Sequence, residues 1–583
     1  MATTSAAAPA AEATRARPFL ARLAGEWPVL AIAAAFAGMA LILPPAYDWP
    51  VIDSWAFGYT VQQLVEAGRL VLVDWGAMSL LAHVAWGALF SLPAGFSFAA
   101  LNLSTWVLAF VLACASYAAL RELDFAPLPS LMGAGVVLAN PAVVLLSYSF
   151  MTDVPFLAWY TLAFWCYIRG LRRSAWPWLL AGSVFATIAV LIRQNGVVLP
   201  AALVAYVGWE WLRRRRPFPL RPALAAAALP VVALVVLTAL SMAGVLSSRT
   251  NALAWIGAPA PARWAADLFR MALYLGLFML PLTLAAGLRY AARFPRLTLR
   301  DLAIPAGAFI LFAVLAIYQY YHPLRLPYIG TWRLMPYFPA VWSIFGTGSE
   351  GEWLAGARDM IFGYRFWTMV TAAGCAGAAL LIWPAFWRRL APLPLPSPRL
   401  GREAVDEGFP LGFLVLAILA FLAPVLLFSG EIYERYLAGL LLPLAALVLH
   451  ACRRTVARPS LPAWALVSVV FLAFGLALAG EFVAWNGAAW HAGDRVAATG
   501  APAEKIDAGF VWNGWHFAEE VRRTELQPPA DAPAYMELTP QIDRTYVVSF
   551  SPLAGYETIG REEYWSPLRW SVQELLVLRK TTG

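Results

Sequence analysis

Long apolar stretches, free of Asp, Glu, Lys and Arg except near their ends, recur along most of this chain. They fall near 27–45, 99–120, 130–150, 154–168, 176–192, 195–211, 222–246, 270–288, 302–321, 366–387, 409–428, 437–452 and 461–481, thirteen in all. Roughly 20 apolar residues let a helix cross the hydrocarbon of a bilayer while closing its backbone hydrogen bonds internally. Composition points the same way, since 61% of the 583 residues are hydrophobic and only 13% are charged. Soluble domains sit near one half and one quarter. A cytosolic enzyme, a disordered chain, a coiled coil and a collagen-like fibre are thereby excluded. The expected fold is an α-helical polytopic membrane protein with about thirteen transmembrane helices.

The formal charge of +8 invites a nucleic-acid reading, but the basic residues gather in short loops between spans. There they act as topology signals, and no nucleic-acid partner is expected. The four cysteines, Cys114, Cys166, Cys375 and Cys452, show neither disulfide nor thiolate-metal spacing. Residues 1–26, Ala-rich with Arg15, Arg17 and Arg22, read as a cytoplasmic tail before an uncleaved first span.

One further apolar stretch, 79–93, is shorter than the ~17 residues a span requires. If it does not cross, the cytoplasmic segments hold 23 arginines and the outer loops ten: Arg69, Arg193, Arg249, Arg263, Arg270, Arg325, Arg333, Arg358, Arg365 and Arg435. If it does cross, every later loop changes sides and Arg213 to Arg216 face outward, against the positive-inside rule. The stretch is therefore expected as an interfacial or re-entrant helix on the outer face. A membrane domain over 27–481 then carries two long outer loops, 46–98 and 322–365, and the working surface lies on that side. Residues 482–583 follow as a small α/β domain, also outside, with a strand-like 545–549 and a helix-like 517–523. Within it, 506–515 reads as a buried strand and turn, or as an acceptor contact.

Acidic residues are sparse, so their positions carry information. The first outer loop contains Asp48, Asp53 and Asp74, and the second outer turn reads Ser147-Tyr148-Ser149-Phe150-Met151-Thr152-Asp153-Val154-Pro155. Asp153 stands where the next apolar span begins, and a carboxylate there suits a helix N-terminus. The third outer turn, Arg193-Gln194-Asn195-Gly196, places an arginine on the side where arginine is scarce. A guanidinium fork can grip a phosphate, or anchor a lipid headgroup.

Taken in order, Asp53, the helix-like run to Gly68, the short apolar helix 79–93, the Met151-Thr152-Asp153-Val154-Pro155 turn and the Arg193-Gln194-Asn195-Gly196 turn resemble the GT-C superfamily of membrane glycosyltransferases. The branch they resemble holds the lipid A aminoarabinose transferase, the protein O-mannosyltransferases and related family-39-type bacterial proteins. Glu431-Ile432-Tyr433-Glu434-Arg435-Tyr436-Leu437, before a late span, is similar as well. The resemblance implies an enzyme of the bacterial inner membrane, with its C-terminal domain periplasmic. It takes a sugar from a polyprenyl-phosphate donor and passes it to a hydroxyl or phosphate on a glycan, lipid or protein acceptor.

Glycosyl transfer passes through an oxocarbenium-like state, needs a carboxylate base for the acceptor and needs positive charge for the departing phosphate. Asp53 is the expected base and Asp153 orients the acceptor or shares that role. Arg193 and Gln194 are expected at the donor phosphate with Arg333 or Arg435 as a second cation, and Asp48, Asp74 and Glu434 are auxiliary acids. Whether a divalent metal takes part stays open, because 76–80 carries no acid where the aminoarabinose transferase has one. A transporter or flippase of lipid-linked sugars is the rival reading. It fits less well, since such proteins usually carry ionisable groups mid-membrane and no span interior here does.

Overall fold

The computed structural model of the chain describes residues 27–73, 78–214, 220–244, 246, 261–293, 299–321, 353–358, 361–362, 364–383, 402–427, 434–455, 458–521, 536 and 539–581. The architecture is mainly helical, with a small sheet near the C-terminus. Helices α1 (Trp27–Ile42), α2 (Ser54–Ala67), α3 (Leu81–Ser91) and α4 (Phe98–Glu122) are followed by α5 (Pro127–Leu138), α6 (Pro141–Ser147), α7 (Asp153–Arg173), α8 (Trp176–Ile192) and α9 (Val198–Arg214). Then come α10 (Leu220–Met242), α11 (Pro261–Arg293), α12 (Leu299–Tyr321), α13 (Tyr364–Leu381), α14 (Arg402–Leu427), α15 (Ala438–Thr455) and α16 (Leu461–Ala498). Every apolar stretch of the sequence overlaps a helix. Among the described residues, five helices are long and apolar enough to cross a membrane unaided: Phe98–Glu122, Leu220–Met242, Met271–Ala292, Glu434–Arg453 and Leu461–Ala498.

The expected span over 130–150 is broken. Pro141 has no N–H to continue α5, and Asn140 caps α6 instead, its Oδ1 accepting from Ala142 N at 3.0 Å and Val143 N at 3.3 Å. The two pieces meet at 68°. The short apolar stretch expected not to span forms α3, whose 11 residues reach only about 16 Å. Ser79 Oγ donates to Val190 O at 2.9 Å and Trp86 Nε1 to Ser104 O at 3.0 Å, which ties this short helix to α8 and α4.

Helix α7 shows how sequence sets local structure. Asp153 opens its first turn and Arg172 and Arg173 close its last, each charge matched to the helix dipole. Arg169 and Arg173 pair with Glu122 at 3.3 and 3.1 Å, and Arg172 pairs with Asp124, joining two loops the arginine count assigns to one face.

Helix α16 does not stop at 481 but runs unbroken to Ala498, so the domain boundary read at 482 falls inside a helix. Beyond it lie β1 (Ile506–Asp507), α17 (Gly509–His516), α18 (Ala518–Val521), β2 (Tyr546–Ser549), β3 (Tyr556–Ser566) and β4 (Ser571–Lys580). The sheet order is β1-β2-β4-β3, with β1 and β2 parallel and the other pairs antiparallel. The strand expected over 545–549 is β2. The strand expected over 506–515 is two residues long and then turns into α17. Asp507, fully buried, holds that turn by accepting from Gly509 N and Asn513 Nδ2 at Oδ1, while Arg544 binds Oδ2 at 2.9 Å. The loop segment 353–358 joins this sheet, with Ala355 bridging Ser549 in parallel register.

Candidate active site

Four segments meet around Asp153. The first is the start of the short helix α3. Leu80, in the left-handed region at φ 58°, begins it, and Leu80 N donates to Ile192 O at 3.5 Å, so its N-terminus rests on the end of α8. The second is the turn into α7, with Thr152 and Asp153. The third is the end of α8, where Arg193 leaves the helix in an extended conformation and Gln194–Val197 form a 3-10 turn leading into α9. Only glycine fits at 196, because a Cβ there would lie 2.7 Å from Val190 N and 2.9 Å from the Ala189 carbonyl carbon. The fourth is a second 3-10 turn, Glu434–Leu437, which leads into α15. Both arginines thus sit at turns that open helices.

Arg193 Nη2 lies 2.9 Å from Asp153 Oδ2, and Arg435 Nη1 lies 3.3 Å from the same oxygen. Arg193 Nε donates to Thr152 Oγ1 at 2.9 Å, and Thr152 in turn contacts Met78 Sδ at 3.4 Å. Both guanidinium carbons stand 5.4 Å from the centre of the Tyr436 ring, a cation–π arrangement that shares one ring between two cations. All three charged side chains are buried, at 3% exposure for Asp153, 8% for Arg193 and 4% for Arg435. Asp153 Oδ1 is also buried and accepts no hydrogen bond among the described residues. A buried carboxylate oxygen without a donor is costly, and it is an acceptor for a hydroxyl brought to the site.

His83, which the sequence did not single out, lies on α3 in the same neighbourhood. Its ring stacks on Phe150 at 3.9 Å and its Nε2 sits 3.3 Å from Phe150 O. Burial pushes its pKa down to about 3, and the positive charge of Arg193 adds to the effect. It is therefore a neutral imidazole at ordinary pH.

Other expected site residues stand as follows. Gln194 is the first residue of the 3-10 turn after Arg193, and Glu434, buried, is the first of the turn that carries Arg435. Asp53 is half-buried at the N-cap position of α2 and makes no side-chain hydrogen bond to cap that helix. The helix it opens is held from the far side by the C-terminal region: Trp55 meets Phe510 edge-on at 5.8 Å, and Tyr59 donates to Glu519 at 2.9 Å. Asp48 is exposed and its Oδ1 accepts from Ala99 N at 3.3 Å, where α4 begins. Asp74 and Arg333 lie outside the described residues. No cluster of three or more His, Cys, Asp or Glu that could hold a metal ion occurs among the described residues.

Residues 83–258 match the family described as dolichyl-phosphate-mannose-protein mannosyltransferase, a segment that begins at His83 and contains Asp153, Arg193 and Gln194. A comparison with curated proteins found no match. Among solved structures, ArnT from Cupriavidus metallidurans bound to undecaprenyl phosphate is similar at 15% identity and a TM-score of 0.41, covering 95% of this chain and 98% of that one. AglB from Archaeoglobus fulgidus, in complex with an inhibitory peptide and a dolichol-phosphate, is similar at 10% identity and a TM-score of 0.42, covering 85% and 64%.

Proposed function

We propose that this chain transfers a sugar from a polyprenyl-phosphate donor to an acceptor hydroxyl or phosphate, working on the outer face of a bacterial inner membrane that it crosses about thirteen times. The observation that carries this reading is the buried Asp153 held between Arg193 and Arg435. Two guanidiniums in a low-dielectric setting supply positive charge where a phosphate leaves with the bonding electrons of the broken glycosidic bond. Arg193 donates Nε to Thr152, while Nη2, 2.9 Å from Asp153 Oδ2, makes no hydrogen bond among the described residues and is available to turn toward an incoming anion. Asp153 offsets part of the arginine charge and keeps both forks in place before substrate arrives, while its Oδ1 offers an acceptor to the incoming hydroxyl. With Oδ2 engaged by two cations, Asp153 is suited to orienting. Asp53 is assigned the base: a half-buried carboxylate at the start of α2 can take the acceptor proton as the new bond forms.

The test is to reconstitute the full chain and offer a panel of polyprenyl-phosphate sugars, following transfer or hydrolysis. One of them is expected to be consumed by the natural sequence. Asp53→Asn should retain donor binding and lose roughly 10²–10⁴-fold in turnover, the usual share of general-base catalysis. An Asn variant that transfers sugar normally removes Asp53 from the mechanism.

A further inference from the structure

The β3–β4 hairpin ends in an apolar tip that the sheet does not use. Trp570 is 80% exposed, the highest of any tryptophan among the described residues, and Trp565 and Val572 are exposed beside it. Trp565 lies directly across the ladder from Val572, and the two indoles meet edge-on at 5.6 Å. Trp570 holds a left-handed backbone at φ 53°, an unfavourable conformation for a bulky residue, in the turn that follows Ser566. Large apolar groups displayed from a strained turn call for a partner.

The position of the tip along α16 says which partner. No Asp, Glu, Lys or Arg occurs in the 20 residues from Leu461 to Gly480, about 30 Å of helix, and Leu466, Val469 and Val470 present exposed apolar side chains from it. Glu481 is the first ionisable residue after that run, so it marks where the helix leaves the hydrocarbon. The hairpin is fastened to this level. Glu481 Oε2 accepts from Ser566 Oγ at 2.6 Å and from Leu568 N at 3.4 Å, and a Cβ at Gly480 would lie 3.0 Å from Pro567. Glu481 is also ion-paired with Arg358, whose guanidinium stands 5.8 Å from the Tyr564 ring of the same hairpin. Trp565 and Trp570 are each within two residues of these anchoring groups, which sets them at the depth where tryptophan partitions into the headgroup region.

We infer that the β3–β4 tip is a membrane-docking element: Trp565, Trp570 and Val572 enter the headgroup layer beside the exit of α16 and hold the C-terminal sheet down on the bilayer. The occupant is the lipid surface, continuous with the apolar flank of α16. Hydroxyl-radical footprinting of the unmodified chain in phosphatidylcholine–phosphatidylglycerol vesicles tests this without any substitution. Trp570 should be oxidised several-fold less than Tyr556, at the other end of β3, although Trp570 is the more exposed in the chain itself. Free oxidation of Trp570 overturns the inference. In parallel, a chain with its four cysteines replaced by alanine and Trp570→Cys labelled with an environment-sensitive fluorophore should be quenched by lipids spin-labelled near the headgroup. A Glu557→Cys control, at the far end of the hairpin, should be quenched several-fold less. Protection of Trp570 without lipid quenching identifies a protein contact and likewise overturns the docking claim.

Discussion

The two ends of α7, about 30 Å apart along one helix, both carry arginine–carboxylate pairs, yet in opposite surroundings. At the C-terminal end, Arg172 and Asp124 are 23% and 61% exposed, and Arg173 is 53% exposed opposite Glu122. At the N-terminal end, Asp153 and its two arginines are all at or below 8%. Exposed pairs gain little, because water solvates both partners nearly as well. Buried pairs forfeit solvation and regain it only through close geometry, so apolar residues of the same size often serve stability as well or better. The exposed arginines are those that the sequence reading takes as topology signals. The buried ones are retained against a desolvation penalty, which makes the Asp153 cluster a candidate site. The same contrast accounts for exceptions to the sidedness count: of the ten arginines assigned to the outer loops, Arg193, Arg358 and Arg435 are buried in ion pairs.

Equivalent substitutions at the two ends should break apart in size. Asp153→Ala leaves two buried guanidiniums without their shared carboxylate, so a loss of about 3–5 kcal/mol of stability is expected together with loss of transfer. Thermal unfolding in detergent and a transfer assay check both. Asp153→Asn should fold better than the alanine variant and still transfer poorly, since an amide cannot neutralise the arginines.

A smaller effect follows from His83. Its folded pKa is about 3 against 6.5 for the free side chain. Between those values the unfolded chain takes up a proton that the folded chain refuses, so stability is full above pH 6.5 and falls as pH drops. About 1 kcal/mol should be lost between pH 6.5 and about 5.5. The measurement is the difference between the natural chain and His83→Gln, which should be flatter across that window. Equal slopes mean that the imidazole is not buried as described.

The smallest effect belongs to the exposed end. Arg172→Ala should change stability by no more than about 0.5 kcal/mol and leave turnover untouched, and added salt should erase even that difference. A large effect of Arg172 on transfer would remove the contrast between the two ends.

Much of this arrangement is legible in the sequence. Runs of uncharged apolar residues mark the helices, and the stretch 79–93, shorter than the ~17 residues a span requires, forms the short helix α3. Asp153, Arg193 and Arg435 stand out because charge is scarce there. Their convergence on one oxygen is not legible, for it joins positions 282 residues apart through packing that no local pattern encodes. His83 looks like a lone polar residue in an apolar helix, and only its stacking on Phe150 gives it a setting. The break at Asn140-Pro141 carried a readable signal, a capping residue followed by proline, that hydropathy alone overrides. The run of α16 past Glu481 is hidden for the opposite reason: a single acid after a long uncharged run looks like a helix end, whereas here it is buried and satisfied by Arg358, Ser566 and Leu568, and the helix continues to Ala498.

The most direct test of the buried end as a phosphate site is equilibrium binding of a polyprenyl phosphate, without its sugar, to the full chain and to Arg193→Gln, Arg435→Gln and Arg169→Gln. A lost charge-assisted contact is worth about 1.5–3 kcal/mol, so the first two variants should bind roughly tenfold or more weakly. Arg169→Gln, at the exposed end of the same helix, should bind like the natural chain. Equal affinity in all three variants would contradict the account and reduce the Asp153 cluster to a structural ion pair.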